Sequence, residues 1–301
     1  MSVPAAYIIV ILVWSTTPLG IQWSGIGIGF EFGVALRMLI GLCALMLIAR
    51  LQKLPMPWDA VARRVYLTSG LSLFLTMNFV YWAAQFIPSG WIAVIFGLSP
   101  VLTSIFASLI LHESTFTFGR VLGMSMGIVG LGIVFAEGLS ISTAALSGVA
   151  AVTLGVISQS LGAVIIRKLQ PKIPAISITI GSLFVATPLF LAYAFYSAGI
   201  PEVWPLHSVM AIVYLAIFGT ALGFPLYYYL IKNINVERVA LITLITPVTA
   251  LLLGSAINDE TIGPHVWLGT SLILGGLAIY EYGKYLPFSK KWQVRWNQRP
   301  L

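Results

Sequence analysis

Ten runs of strongly apolar residues, each about as long as a helix needs to cross hydrocarbon, follow one another along the chain with little between them. They cover roughly 4–22, 31–50, 65–87, 90–112, 119–136, 146–168, 175–196, 208–232, 235–257 and 264–285. Inside a bilayer a backbone must satisfy its own hydrogen bonds, which leaves helices or a closed barrel. These runs are continuous and too long for the alternating strands of a barrel. The expectation is an all-α integral membrane protein with ten transmembrane helices. Charged residues are 8% of the chain, against about 25% in a soluble domain. A soluble enzyme is therefore excluded. The first run lacks a basic leader and carries Trp14, Ser15, Thr16, Thr17 and Pro18, so it reads as a span and not as a cleaved signal.

The excess of basic residues tests the span count. With both termini on one side, that side collects Arg50, Lys53, Arg63, Arg64, Arg120, Arg167, Lys168, Lys172, Lys232, Arg238, Lys284, Lys290, Lys291, Arg295 and Arg299. The other side collects none, and Arg37 alone lies deep within a span and away from the basic side. One missed or invented helix would destroy this split. By the positive-inside rule both termini are cytoplasmic. The net charge of +7 then reads as attraction to an anionic leaflet, not to nucleic acid. The basic, aromatic tail around Lys290-Lys291-Trp292 belongs on that leaflet or in the adjoining water.

The chain repeats itself. Pro88–Glu113 aligns with Asn235–Glu260, bringing Pro100 onto Pro247, Glu113 onto Glu260 and Tyr81-Trp82 onto Tyr228-Tyr229. After a one-residue shift Gly123 meets Gly269, and Gly130-Leu131 meets Gly276-Leu277. The halves are 1–143 and 144–286, with residues 287–301 as a cytoplasmic tail. Five spans per half is an odd number, so the second repeat is inverted relative to the first. Such repeats offer two near-equivalent packings, open to one face or the other, with a site between them near mid-membrane.

These features resemble the drug/metabolite transporter superfamily, in particular its ten-helix EamA branch. The resemblance runs to about residue 286. It rests on Trp14-Ser15, Arg37, Asn78-Phe79-Val80-Tyr81-Trp82-Ala83-Ala84, Leu98-Ser99-Pro100 followed by His112-Glu113, Tyr227-Tyr228-Tyr229-Leu230, and Ile245-Thr246-Pro247 followed by Asp259-Glu260. Within that branch the chain looks most like the YddG-type exporters of aromatic and other neutral amino acids. The resemblance implies a secondary exporter of uncharged amino acids, uniport-like or weakly coupled. The alternative is export of another small metabolite or drug, with or without proton coupling. It also implies an arginine at position 37 whatever the substrate, so Arg37 is expected to be structural.

Polar and aromatic side chains inside the spans are the candidate substrate contacts, because burying them in lipid is costly. Trp14, Asn78, Tyr81, Ser99, Gln159, Tyr228, Thr243 and Thr246 are selected; amides and hydroxyls can hold a zwitterion without leaving a fixed charge behind. The competing role for each is an interhelical hydrogen bond. Pro100 and Pro247 each remove a helical hydrogen bond and are expected to kink or hinge their spans. Gly119, Gly123 and Gly127, with Gly275 and Gly276, are expected to pack spans 5 and 10 together as a scaffold. No Asp or Glu lies in the middle third of any span, which disfavours proton-for-cation exchange. Cys43 is the single cysteine, and His112, His207 and His265 are far apart, so no metal or other cofactor is expected. Metalloprotease, Gly-x-Ser-x-Gly and paired-aspartate patterns are missing from the sequence, which argues against an enzyme. The expected partners are a small-molecule substrate and lipid, with the chain a monomer in a bacterial inner membrane.

Overall fold

The computed structural model describes residues 2–112, 118–169, 172–197, 199–223, 225–226, 230 and 236–282. Every regular element among them is helical. In chain order these are α1 (Val3–Ser24), α2 (Phe30–Leu51), α3 (Ala60–Ala83), α4 (Ser89–Phe96), α5 (Ser99–Leu111), α6 (Phe118–Ile141), α7 (Thr143–Leu169) and α8 (Ala175–Ser197). Then come α9 (Leu206–Tyr214), which runs on as a π-helical turn (Leu215–Leu222), α10 (Val236–Asn258) and α11 (Pro264–Tyr282). The spans over α1, α2, α4–α5, α7 and α8 are each long and apolar enough to cross a bilayer, and shorter apolar stretches lie within α6, α9 with its π turn, α10 and α11. The protein is an all-α membrane protein. Surface leucines and isoleucines such as Ile8, Leu12, Leu71 and Ile128, all about half exposed or more, are what a lipid-facing surface requires.

Local chemistry sets several helix ends. Asp59 accepts from the Val61 and Ala62 amides at 2.9 and 3.0 Å and starts α3. Gly29, with φ at +85°, turns the chain into α2.

The fourth span departs from the sequence expectation of one kinked helix over 90–112. It is two helices, broken at Gly97-Leu98, with Pro100 in the first turn of α5. The physical reason is local. Pro100 has no N–H to give the Phe96 carbonyl four residues back, and Ser99 Oγ donates to that carbonyl at 2.7 Å instead. Its repeat mate Pro247 is buried inside an unbroken α10.

Eight spans close into a ring. Each packs on the next in the order α1, α9 with its π turn, α2, α8, α3, α7, α4–α5, α10 and back to α1. The pair α6 and α11 stands outside, against this ring. Exchanging the two repeats preserves the order of neighbours in the ring and the outer α6–α11 pair. The pairs α2 with α8, α4 with α10 and α6 with α11 map onto themselves. The contact of α1 with α9 maps onto that of α7 with α3, and the contact of α1 with α10 onto that of α7 with α4–α5.

The glycines give this symmetry atomic detail. A Cβ on Gly123 would stand 2.4 Å from the Gly276 carbonyl oxygen, and one on Gly130 would stand 2.6 Å from the Gly269 carbonyl oxygen. Gly123 pairs by repeat with Gly269, and Gly130 with Gly276, so the two contacts are images of each other. They also run in opposite senses along the two helices, which makes α6 and α11 antiparallel. Gly119 is buried. Gly127 faces Leu98 at the break in the fourth span, and Gly275 meets only the tip of Met126.

Candidate functional site

The interior of the ring is read most directly on α7. Gly155 lies against the Thr76 carbonyl of α3, to which Thr76 Oγ1 adds a 3.1 Å hydrogen bond to the Gly155 carbonyl. Ser160 Oγ reaches the other way, to the Ser99 carbonyl at the start of α5, at 3.3 Å. Between those two directions a single stripe faces inward: Ala145, Val149, Val152, Val156, Gln159, Ala163 and Arg167, at the three- and four-residue spacing of one helix face. Ala145, Val149, Val152 and Val156 are at most 1% exposed, while Gln159, Ala163 and Arg167 are exposed. The interior is closed along the Thr143 half of α7 and open along the Leu169 half.

A hydrogen-bonded plug occupies the closed end. Glu260, just past α10, accepts from the Ser89 and Gly90 amides at 3.0 and 3.4 Å, where α4 begins. Asn258 donates to Glu260 at 3.0 Å and to the Gln22 carbonyl oxygen Oε1 at 2.8 Å, and accepts from Trp23 Nε1 at 3.1 Å. His207 packs on Trp23 with ring centroids 4.6 Å apart. Gly254 leaves the room that the carboxylate fills, since a Cβ there would lie 2.4 Å from it. Four spans from both repeats are thereby tied at one end. Sequence reading paired Glu260 with Glu113 but gave it no partner; Glu113 lies outside the described residues.

Of the residues selected from sequence, Tyr81 is 1% exposed and its hydroxyl accepts from Arg37 Nη1 at 3.3 Å. Arg37 is 5% exposed, and its Nε donates to Thr220 Oγ1 at 3.3 Å. Thr220 sits in the π turn and donates in turn to the Leu215 carbonyl at 3.2 Å. π turns recur at functional sites. Trp14 is half-buried, with its indole Nε1 3.5 Å from the position a Cβ on Gly223 would take. One polar cluster therefore joins α2, α3 and the π turn, with α1 alongside. Thr220 carries no sequence motif and was not selected; only its place on the turn reveals it.

The others are distributed differently. Ser99 is engaged with the Phe96 carbonyl, so the orphan left by Pro100 is satisfied internally. Gln159 is exposed on the open part of the interior stripe. Asn78 donates to the Phe74 carbonyl of its own helix at 2.9 Å, and its Oδ1 is buried without a partner among the described residues. It shares a face of α3 with exposed Leu71 and Leu75, and no hydrogen bond among the described residues joins it to the Arg37 cluster. Thr246 is partly buried. Tyr228 and the side chain of Thr243 lie outside the described residues. Elsewhere polar groups serve packing. Ser72 Oγ donates to the Ser158 carbonyl at 2.8 Å, and Ser15 and Thr249 hydroxyls pair across α1 and α10. A groove of about 580 Å³ lined by Ser255, Asp259, Glu260 and Trp267 contains none of the selected residues.

The EamA-like transporter family matches this chain twice, over residues 3–136 and 146–281. The YedA protein of Escherichia coli K12, described as an uncharacterized inner membrane transporter, is 26% identical over 202 residues. That match covers 67% of this chain and 65% of the relative, just under two thirds of its length. The uncharacterized transporter YoaV of Bacillus subtilis is 24% identical over 91% of this chain and 94% of its own. A probable amino-acid metabolite efflux pump of Salmonella typhimurium is 23% identical over 74% and 80%. A crystal structure of a protein 22% identical in sequence superposes with a TM-score of 0.65 over 93% of this chain and 98% of the other, which is a likeness of fold.

Proposed function

The chain belongs to the EamA-like transporter family, and from that membership we propose that it exports neutral amino acids, aromatic ones included, by alternating access. It is a membrane transporter; the substrate, the direction and the coupling are the proposal. The observation that carries it is the α7 stripe, sealed at one end and open at the other, inside a ring whose order of neighbours is preserved when the repeats are exchanged. A carrier needs such a pair of packings, because exchanging the roles of the two repeats moves the opening to the opposite face. The positive-inside rule puts the open Leu169 end, with Arg167 and Lys168, in the cytoplasm of a bacterial inner membrane. The open end of the interior then loads from inside, as an exporter requires.

The substrate class is inferred from the candidate residues on the ring helices. Gln159, Tyr81 and Trp14 offer amide, hydroxyl and aromatic surface, suited to a zwitterion with a flat or apolar side chain. One relative's name, an amino-acid metabolite efflux pump, agrees with this class. The repeats are taken as 1–143 and 144–286, followed by a tail, and the working unit as a monomer. In liposomes the purified protein will equilibrate labelled phenylalanine, threonine or methionine, with saturation and trans-stimulation. Flux no greater than in empty liposomes for all three would reject the amino-acid class while leaving the fold argument intact.

A further inference from the structure

We propose that Arg37, Tyr81 and Thr220 form an anion subsite that holds a carboxylate group of the transported solute. This deepens the export reading and rests on it for the identity of that solute. It departs from the structural role that the sequence resemblance implied for Arg37.

The argument is one of donors and acceptors. A guanidinium has five N–H donors and no acceptor. Arg37 is only 5% exposed, and among the described residues no Asp or Glu pairs with it. Its two hydrogen bonds, both 3.3 Å, go to neutral hydroxyls. A buried cation met only by neutral groups is costly, and a charged partner would relieve that cost. Its hydroxyl neighbours each accept once from it and carry no charge to balance it. Thr220 already donates to the Leu215 carbonyl, and Tyr81, having accepted from Arg37, still has its own O–H to give. Nη2, the second Nη1 hydrogen and the Tyr81 hydroxyl are therefore donors lacking an acceptor among the described residues. Such a set matches the paired oxygens of a carboxylate.

Space is provided beside Nη2. Gly219 in the π turn has no side chain, and a Cβ there would stand 3.2 Å from Nη2 and 3.8 Å from Thr17 Oγ1. Arg37 lies seven residues into α2 from Phe30, on the order of 10 Å along the axis. The subsite is thus within the membrane, below the Glu260 plug.

Ligand-induced thermal stabilisation of the purified protein tests this with three probes: phenylalanine, phenylacetate and phenethylamine. The first two, which carry the carboxylate, will stabilise the protein; phenethylamine will not. Arg37→Gln will weaken binding of both carboxylates about tenfold or more, the worth of a charge-assisted hydrogen bond. Because Arg37→Gln can also disturb packing, Thr220→Asp gives a second measurement. It tethers a carboxylate beside Nε, so it will raise the melting temperature of the empty protein and abolish stabilisation by phenylacetate, whereas Thr220→Asn will not. Carboxylates binding folded Arg37→Gln as tightly as the parent would overturn the subsite, and so would Thr220→Asp that leaves phenylacetate binding intact. A parent protein that no carboxylate stabilises overturns it as well. Carboxylate binding without amino-acid flux in liposomes would instead sink the export reading and leave the subsite standing.

Discussion

Gly123→Ala will strongly reduce the yield of monodisperse, folded protein, although it adds a single methyl group. The added Cβ would sit 2.4 Å from the Gly276 carbonyl oxygen and 2.8 Å from the Tyr280 amide nitrogen. Both are backbone atoms of α11, so no side chain can turn aside, and the two helices must separate along their length. Overpacking that forces backbone shifts costs about 1–3 kcal/mol and on occasion more, a large share of the roughly 5–15 kcal/mol that holds a fold together. Gly276→Ala will behave alike, with its Cβ 2.6 Å from the Gly123 carbonyl oxygen. Two glycines serve as controls. A Cβ on Gly132 meets nothing within 4 Å, and one on Gly275 meets only the flexible end of Met126 at 3.4 Å. Alanine at either should leave the melting temperature in detergent within a few degrees of the parent. Equal behaviour of Gly123→Ala and Gly132→Ala would mean that α6 and α11 do not pack as described.

The second large effect is expected at the plug. Glu260→Ala removes the acceptor that the Ser89 and Gly90 amides and Asn258 Nδ2 share. Hydrogen bonds to a charged acceptor are worth more than neutral ones, and partial exposure reduces that worth, so about 2 kcal/mol for the group is reasonable. The loss falls on the packing closed at this end and spares the one open there. The ratio of the two should move about thirtyfold toward the latter. Glu260→Gln keeps one acceptor and should move it less. In transport, Glu260→Ala will slow net export of labelled solute from preloaded, inside-facing vesicles, because return to the cytoplasm-open form becomes unfavourable. Export at the parent rate, with parent labelling of the interior, would show that the plug does not bias the cycle.

The architecture was legible because bilayer physics leaves few options. Length, apolarity and the one-sided distribution of basic residues fixed the all-α class, and glycine spacing in spans 5 and 10 pointed to the α6–α11 contact. The break at Gly97-Leu98 was less legible, since proline lacks its N–H in a kink and in a break alike. What decides is whether Ser99 can satisfy the Phe96 carbonyl, and hydroxyl direction is not written in a pattern. Site residues fared unevenly for a related reason. A polar residue in an apolar run says that it needs a partner, not which face it occupies. Gln159 is exposed on the α7 stripe and Tyr81 is buried against Arg37, while Asn78 bonds the Phe74 carbonyl of its own helix. Thr220 meets Arg37 from within a π turn, and no residue-type signal marks such a turn here.

The central claim is that one interior, between inverted repeats, is open at the Leu169 end of α7 and sealed at the Thr143 end. Two single-cysteine variants, Val152→Cys and Gln159→Cys, test it with a thiol reagent that does not cross the membrane. Each is made in a Cys43→Ser background, because Cys43 is exposed. In the resting protein the thiol of Gln159→Cys should react from the side bearing the termini, and that of Val152→Cys should react from neither. Combined with Glu260→Ala, Val152→Cys should become reactive from the opposite side while Gln159→Cys loses reactivity. Simultaneous reaction of both variants from both sides would describe an open pore, and would contradict the account.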